Sequence, residues 1–157
     1  MKKIKLTQGK VALVDDEDFE ELSQSKWYAH KNRNIYYAVR TYPSIDGKQH
    51  TIHMHRVILK TPAGLQTDHS NGDGLDNRKE NLRVATRSEN QWNTQKRINN
   101  TSGCKGVTWN KKNQRWIAKI MKENKSYYLG SFKKKEDAAL AYNLKATELF
   151  KEFAKLK

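Results

Sequence analysis

Four side chains in residues 67–93 carry the reactive potential of this sequence: adjacent Asp68 and His69, Asn81 twelve positions after His69, and Asn90 nine further on. An imidazole near its ordinary pKa of about 6.5 is partly neutral at physiological pH and can accept a proton from water. A carboxylate and an amide offer hard oxygens to a divalent cation. In this order the residues can place one general base and two oxygen ligands around a single ion. Taken singly, an Asp-His pair before glycines or an Asn in a turn is ordinary loop chemistry. Their joint order points to catalysis as well as binding.

Strands and a helix must hold such a group. Asp68 and His69 end a short extended stretch, and Ser70-Asn71-Gly72-Asp73-Gly74 is a strong turn signal. A loop runs to Asn81, residues 82–85 read as a second strand, and Thr86-Arg87-Ser88-Glu89 matches a capping box with Thr86 as N-cap and Glu89 reaching back. Asn90 then falls in the first helical turns, so a hairpin followed by a helix brings it to Asp68 and His69. Upstream, the apolar run 11–14 reads as a strand, and 17–24 as a helix with Phe19 and Leu22 on one face. Residues 27–29 and 36–39 flank Asn32-Arg33-Asn34 as a hairpin. A strand at 49–54 follows the turn Asp46-Gly47, and 55–60 gives one or two helical turns ended by Pro62 and Gly64. His30, His50 and His53 read as surface or strand residues, and His55 as a buried hydrogen-bonding partner of the loop.

The formal charge is +14, from 31 Lys+Arg against 17 Asp+Glu, with pI ≈ 9.8, so a polyanion, and nucleic acid first, is the expected partner. Residues 1–100 carry 17 basic and 12 acidic side chains, while 101–157 carry 14 and 5, so positive charge is denser in the last third. No run of eighteen apolar residues exists and MKKIKLTQG lacks the apolar stretch of a signal peptide. A soluble, cytoplasmic protein without a membrane role is expected. Cys104 is the only cysteine, which excludes an internal disulfide or a cysteine-rich zinc site. The polar stretch 94–103 reads as a linker. It divides the chain into a domain at 1–97, a linker at 98–103 and a domain at 104–157.

The residues around the reactive group resemble the HNH endonuclease family, in particular its phage and intron-encoded homing branch. His69 takes the first position of that motif, Asn81 the second, and Asn90 the last, where many members have His. His55-Arg56, Asp76-Asn77-Arg78, Glu80-Asn81-Leu82-Arg83 and Ser88-Glu89-Asn90 are similar too, and the likeness covers about residues 50–95. It implies a ββα-metal module. Phosphodiester hydrolysis needs an activated water, charge to offset the pentavalent oxyanion, and help for the departing 3′ oxygen. The expected roles are His69 as general base, Asp68 and Asn90 as ligands, and Asn81 as the group that orients the loop and His69. Arg56 is expected on the scissile or an adjacent phosphate. So few protein ligands, all oxygen, suit one Mg²⁺ or Mn²⁺ better than zinc.

Downstream, 106–109, 115–121 and 126–132 are three short alternating runs between Asn/Lys-rich turns, followed by a helical pattern at 136–153. Alternation sends Val107, Trp109, Trp116, Ala118, Ile120, Tyr127 and Leu129 toward the helix. It leaves Lys105, Thr108, Asn110, Ile117, Lys119, Met121, Ser126 and Tyr128 on the outer face. Lys105-Gly106-Val107, Trp116-Ile117-Ala118, Tyr128-Leu129-Gly130-Ser131-Phe132 and 136–142 are similar to the AP-two/ERF-type DNA-binding domain, also fused to phage HNH nucleases. That resemblance implies an outer sheet face in the major groove, with Lys105, Thr108, Asn110, Lys112, Arg115, Lys119 and Tyr128 as contacts. Thr108, Asn110, Met121 and Ser126 stand where plant members have Arg, so guanine reading of the plant type is not expected.

Together these readings give an α+β chain: a nuclease module, then a three-stranded antiparallel sheet packed on one helix. The expected activity is metal-dependent cleavage of double-stranded DNA by a homing-type endonuclease, with no small-molecule cofactor. The alternative is a DNA-binding regulator whose HNH module does not cut.

Overall fold

The computed structural model describes residues 1–43, 47–94 and 100–156. Asp46 of the expected turn and residues 95–99 of the expected linker lie outside them. By internal contacts the chain divides into two units, Met1–Arg87 and Ser88–Lys157, with the division ahead of the expected linker. Small antiparallel sheets and few helices make up both, an α+β arrangement.

The first unit opens with a hairpin of β1 (Lys2–Lys5) and β2 (Val11–Val14), in register Ile4↔Ala12. Sequence patterning did not announce β1, because Ile4 is its one buried residue among three exposed lysines. Helix α1 (Asp16–Ser23) follows, with Asp16, Glu17 and Asp18 favourably placed against the positive end of the helix. A three-stranded sheet is then formed by β3 (Tyr28–Asn32), β4 (Ile35–Pro43) and β5 (Gln49–His53), with β4 in the centre. Short helix α2 (Met54–Ile58) continues from β5. Ile4, Leu6, Ala12, Val14, Leu22, Trp27, Ala29, Ala38 and Met54 form one core. Each large apolar side chain among them contributes roughly 1.5–3 kcal/mol by leaving water. Trp27 is held by Nε1 donating to Leu22 O at 2.8 Å and by the Arg40 guanidinium over its ring.

The part of this unit that holds the reactive residues is the hairpin of β6 (Gln66–His69) and β7 (Leu82–Ala85). Their long connection is fastened to the core rather than left loose. Leu13 N donates to Leu75 O at 2.9 Å and Asn77 N donates to Leu13 O at 2.8 Å, so the loop pairs with β2. A 3-10 turn (Lys79–Asn81) is tied to the start of α1: Lys79 N donates to Asp15 Oδ2 at 2.7 Å, and its ammonium pairs with Glu17 and Asp18. Helix α3 (Arg87–Trp92) begins at the division between the units.

The second unit is a sheet of β8 (Val107–Asn110), β9 (Arg115–Lys122) and β10 (Lys125–Phe132), with β9 central, packed on α4 (Lys135–Phe150). Val107, Ala118 and Ile120 are buried with Ala138, Tyr142, Ala146 and Phe150. Gly106 lies so close beneath α4 that a Cβ there would sit 2.2 Å from the Tyr142 ring. Three expectations are corrected. Trp109 is 44% exposed, its ring tilted against that of its register partner Trp116 rather than covered by the helix. A bulge between Tyr128 and Gly130 re-phases β10, so Leu129 is only half-buried and Gly130 takes the place opposite Ala118. The helix breaks at Lys151, where φ is +49°, and 151–153 form a 3-10 turn instead of a last α turn.

Candidate active site

The hairpin ends in a buried polar cluster, which is costly in so small a unit unless each group is paired. Asp68 and His69 are each 5% exposed. Asp68 faces Arg83 directly across the strands, and the guanidinium donates through Nε at 2.8 Å and Nη2 at 2.6 Å to Oδ2. Sequence reading missed Arg83, although the hairpin register alone opposes it to Asp68.

His69 Nε2 lies 3.3 Å from Oδ1 of Asn77, which is fully buried. The Asn77 amide donates through Nδ2 to Leu75 O at 3.2 Å, which assigns its oxygen as the acceptor. His69 therefore carries its proton on Nε2, and the ring's basic lone pair is on Nδ1. Burial pushes the His69 pKa below its ordinary value, against the opposing pull of the Asn77 bond and of Asp68, Asp73 and Asp76. The ring is neutral at neutral pH.

Asn81 closes the loop from both sides. Its Nδ2 donates to Asp76 O at 2.7 Å and its Oδ1 accepts from Asn71 N at 3.0 Å. Asp76, buried, takes two hydrogen bonds from Arg78 and one from Asn71 Nδ2, and the Arg78 bonds lower its pKa. These contacts set the path of 71–78 and thereby the place of Asn77 against His69.

Behind His69 lies a ring cluster. Tyr37 on β4 is within 5.9 Å, centroid to centroid, of His53, His55 and His69; His55 is 4.9 Å from His69 and 5.0 Å from His53. Gly74 lets the loop approach this wall, since a Cβ there would fall 2.5 Å from Tyr36 O and 2.6 Å from the Tyr37 ring. Burial lowers the pKa of His53, and of His55 to about 2. Tyr37 was not anticipated, and His53, a strand residue as expected, ends β5 half-buried in the cluster. The alternation of His53 and His55 was the signal that could have found it.

Other expected site residues fall differently. Asn90 is half-buried on α3, in the second unit. Arg56, expected on a phosphate, donates to Leu65 O at 2.9 Å, Thr61 O at 3.2 Å and Pro62 O at 3.3 Å, holding the turn into β6. Lys105, expected on the outer sheet face, donates through Nζ at 2.8 Å to both Trp92 O and Thr94 O, and burial lowers its pKa. Asn110 accepts from the backbone N of Lys112 and Asn113 and shapes the β8–β9 turn. Thr108, Lys112, Lys119 and Tyr128 are exposed, and Arg115 is half-buried. Among the described residues no three His, Cys, Asp or Glu side chains gather to hold a metal ion. A cation at Asp68 would need an amide oxygen and water to complete its shell. No helix among the described residues is long and apolar enough to cross a membrane.

Comparison with known proteins falls on the same region. The HNH endonuclease family profile matches residues 53–92, the span from the ring cluster to the end of α3. Protein 3.8 of Escherichia phage T7 is 34% identical over 96 residues, which cover 61% of this chain and 78% of that one. The uncharacterized HNH endonuclease L560 of Acanthamoeba polyphaga mimivirus is 32% identical over 155 residues, covering 94% of this chain and 74% of its own. No solved structure matches. A loop-locked histidine at a hairpin end, the profile match across it, and relatives covered over most of their length place this chain in the HNH endonuclease family.

Proposed function

We propose that this chain is a divalent-cation-dependent DNA endonuclease of the homing type, with His69 as general base. The observation that carries the reading is the His69 environment: a neutral, buried imidazole whose Nε2 proton is held by Asn77, so that Nδ1 is the proton-accepting atom. His69 takes a proton from the attacking water, and Asn81 acts at one remove by clasping the loop that carries Asn77. Asp68 and Asn90 are the proposed oxygen ligands. This donor set fits Mg²⁺ or Mn²⁺, since it contains no sulfur and leaves coordination to water and phosphate. Such an ion, when bound, supplies positive charge against the pentavalent phosphate and the departing 3′ oxygen.

The second unit is proposed as a DNA anchor of the AP-two/ERF type, joined to the nuclease unit so that binding raises the local concentration of DNA at the cutter. Its exposed Lys119 and Tyr128, register partners on one face, support that assignment.

Supercoiled plasmid carrying a candidate site, incubated with Mg²⁺, with and without chelator, tests the reading. Metal-dependent nicking by the wild type and its loss in His69→Ala are expected, with a fall of about 10²-fold or more for removal of a general base. Wild-type protein that shifts DNA in a gel yet never cuts it would instead establish the non-cleaving regulator.

A further inference from the structure

The ring cluster behind His69 has no part in the chemistry above, yet it packs directly against the base. The His55 and His69 rings meet at 4.9 Å with planes 89° apart, and Tyr37 closes the same wall at 5.8 Å from His55 and 5.9 Å from His69. His55 is buried, and its Nδ1 has no hydrogen-bond partner among the described residues. Its backbone belongs to α2, whose exit is tied down by the three carbonyl contacts of Arg56. A hydrogen bond at 3.3 Å to Asn77 fixes the Nε2 atom of the His69 ring. An edge-on neighbour fixes the plane.

We propose that His55 is a positioning residue for His69: its ring is a wall, set perpendicular to the His69 imidazole, that holds the base in the orientation needed to face the attacking water. The inference rests on the reading of His69 as general base. The contact is between rings, so an aromatic side chain without nitrogen fulfils it and a small side chain does not. A reacting atom displaced by about 1 Å loses roughly 10²-fold in rate, which sets the size of the effect.

The experiment is single-turnover nicking by the full chain at saturating Mg²⁺ and DNA, with DNA affinity measured separately. His69→Ala is compared first. If it cuts like the wild type, the general-base reading itself fails. With cutting abolished in His69→Ala, His55→Ala is expected to cut about 10²-fold more slowly at unchanged DNA affinity, and His55→Phe to stay within about tenfold of the wild type. Nitrogen-15 NMR of the His69 ring gives the second readout. The Nε2–H signature should stay sharp in the wild type and His55→Phe, and average out in His55→Ala. A folded His55→Ala chain with wild-type rate overturns the positioning role while leaving the base intact. Should His55→Ala fail to fold, His55→Phe decides. A folded Phe variant as slow as His69→Ala overturns the proposal, and one near the wild-type rate with a sharp ring signal supports it.

Discussion

Three imidazoles, His53, His55 and His69, sit in one cluster, and burial lowers the pKa of each, to about 2 for His55. The sign of the resulting pH dependence follows from linkage. A histidine with a depressed folded pKa contributes stability that is fully present above its unfolded pKa of about 6.5 and is lost as pH falls toward the folded value. Below pH 6.5 the unfolded chain takes up protons that the folded chain refuses. Between pH 7 and pH 5, His55 alone should lower the unfolding free energy by about 2 kcal/mol. Denaturant titrations at the two pH values in chelator, on wild type and His55→Phe, check this: the acid loss should be about 2 kcal/mol smaller in the variant, and equal losses would contradict a neutral His55. The Asp68–Arg83 pair gives a second test at this scale. Arg83→Leu removes the guanidinium from a buried carboxylate, at a cost of about 3 kcal/mol. If Asp68 is a cation ligand, Mg²⁺ should restore part of that stability, by about 2.7 kcal/mol at a hundred times its Kd. Equal stability of the variant with Mg²⁺ and with chelator would argue against Asp68 as a ligand.

At the scale of elements, the hairpin and the loop within it form one device, because the loop pairs with β2 on one side and presses on Tyr37 on the other. Gly74 is where that pressing is tightest. Gly74→Ala puts a methyl against a backbone carbonyl that cannot step aside, so a loss of about 2–3 kcal/mol is expected, together with slower nicking as Asn77 and Tyr37 shift around His69. Thermal unfolding and the nicking rate measured on one preparation check both parts. Much of this was legible in the sequence. Alternating apolar runs and turn formers located β2, β3, β4, β7 and the three strands of the second unit, because half-buried strands must alternate. What stayed hidden was long-range. Nothing local in Lys2–Lys5 marks a strand, since β2 supplies its pairing. The carbonyl partners of Arg56 and Lys105 lie 5–13 residues away, beyond any local pattern. The bulge at Tyr128/Gly130 breaks a periodicity that reads as regular. Tyr37 joined the site through tertiary packing alone.

For the whole molecule, the charge of +14 says that nucleic acid will be attracted, but attraction and cutting are different tasks. If the second unit anchors DNA, changes on its outer face should alter binding and spare the chemical step, the reverse of what His69→Ala does. Lys119 and Tyr128 separate two kinds of contact, because they stand opposite one another across β9 and β10 and both are exposed. An ammonium on a phosphate releases counterions, so Lys119→Ala should reduce the slope of log affinity against log salt by about one and weaken binding to all sequences alike. A ring packed on sugar or base carries no charge, so Tyr128→Ala should cost about 1–3 kcal/mol with the slope unchanged. Fluorescence anisotropy across a salt series measures both, and single-turnover nicking at saturating DNA shows whether the cutting rate stays at the wild-type value. If both variants bind like the wild type, this sheet face is not the anchor. If they bind normally but cut slowly, the second unit takes part in the reaction itself and tethering is the wrong description.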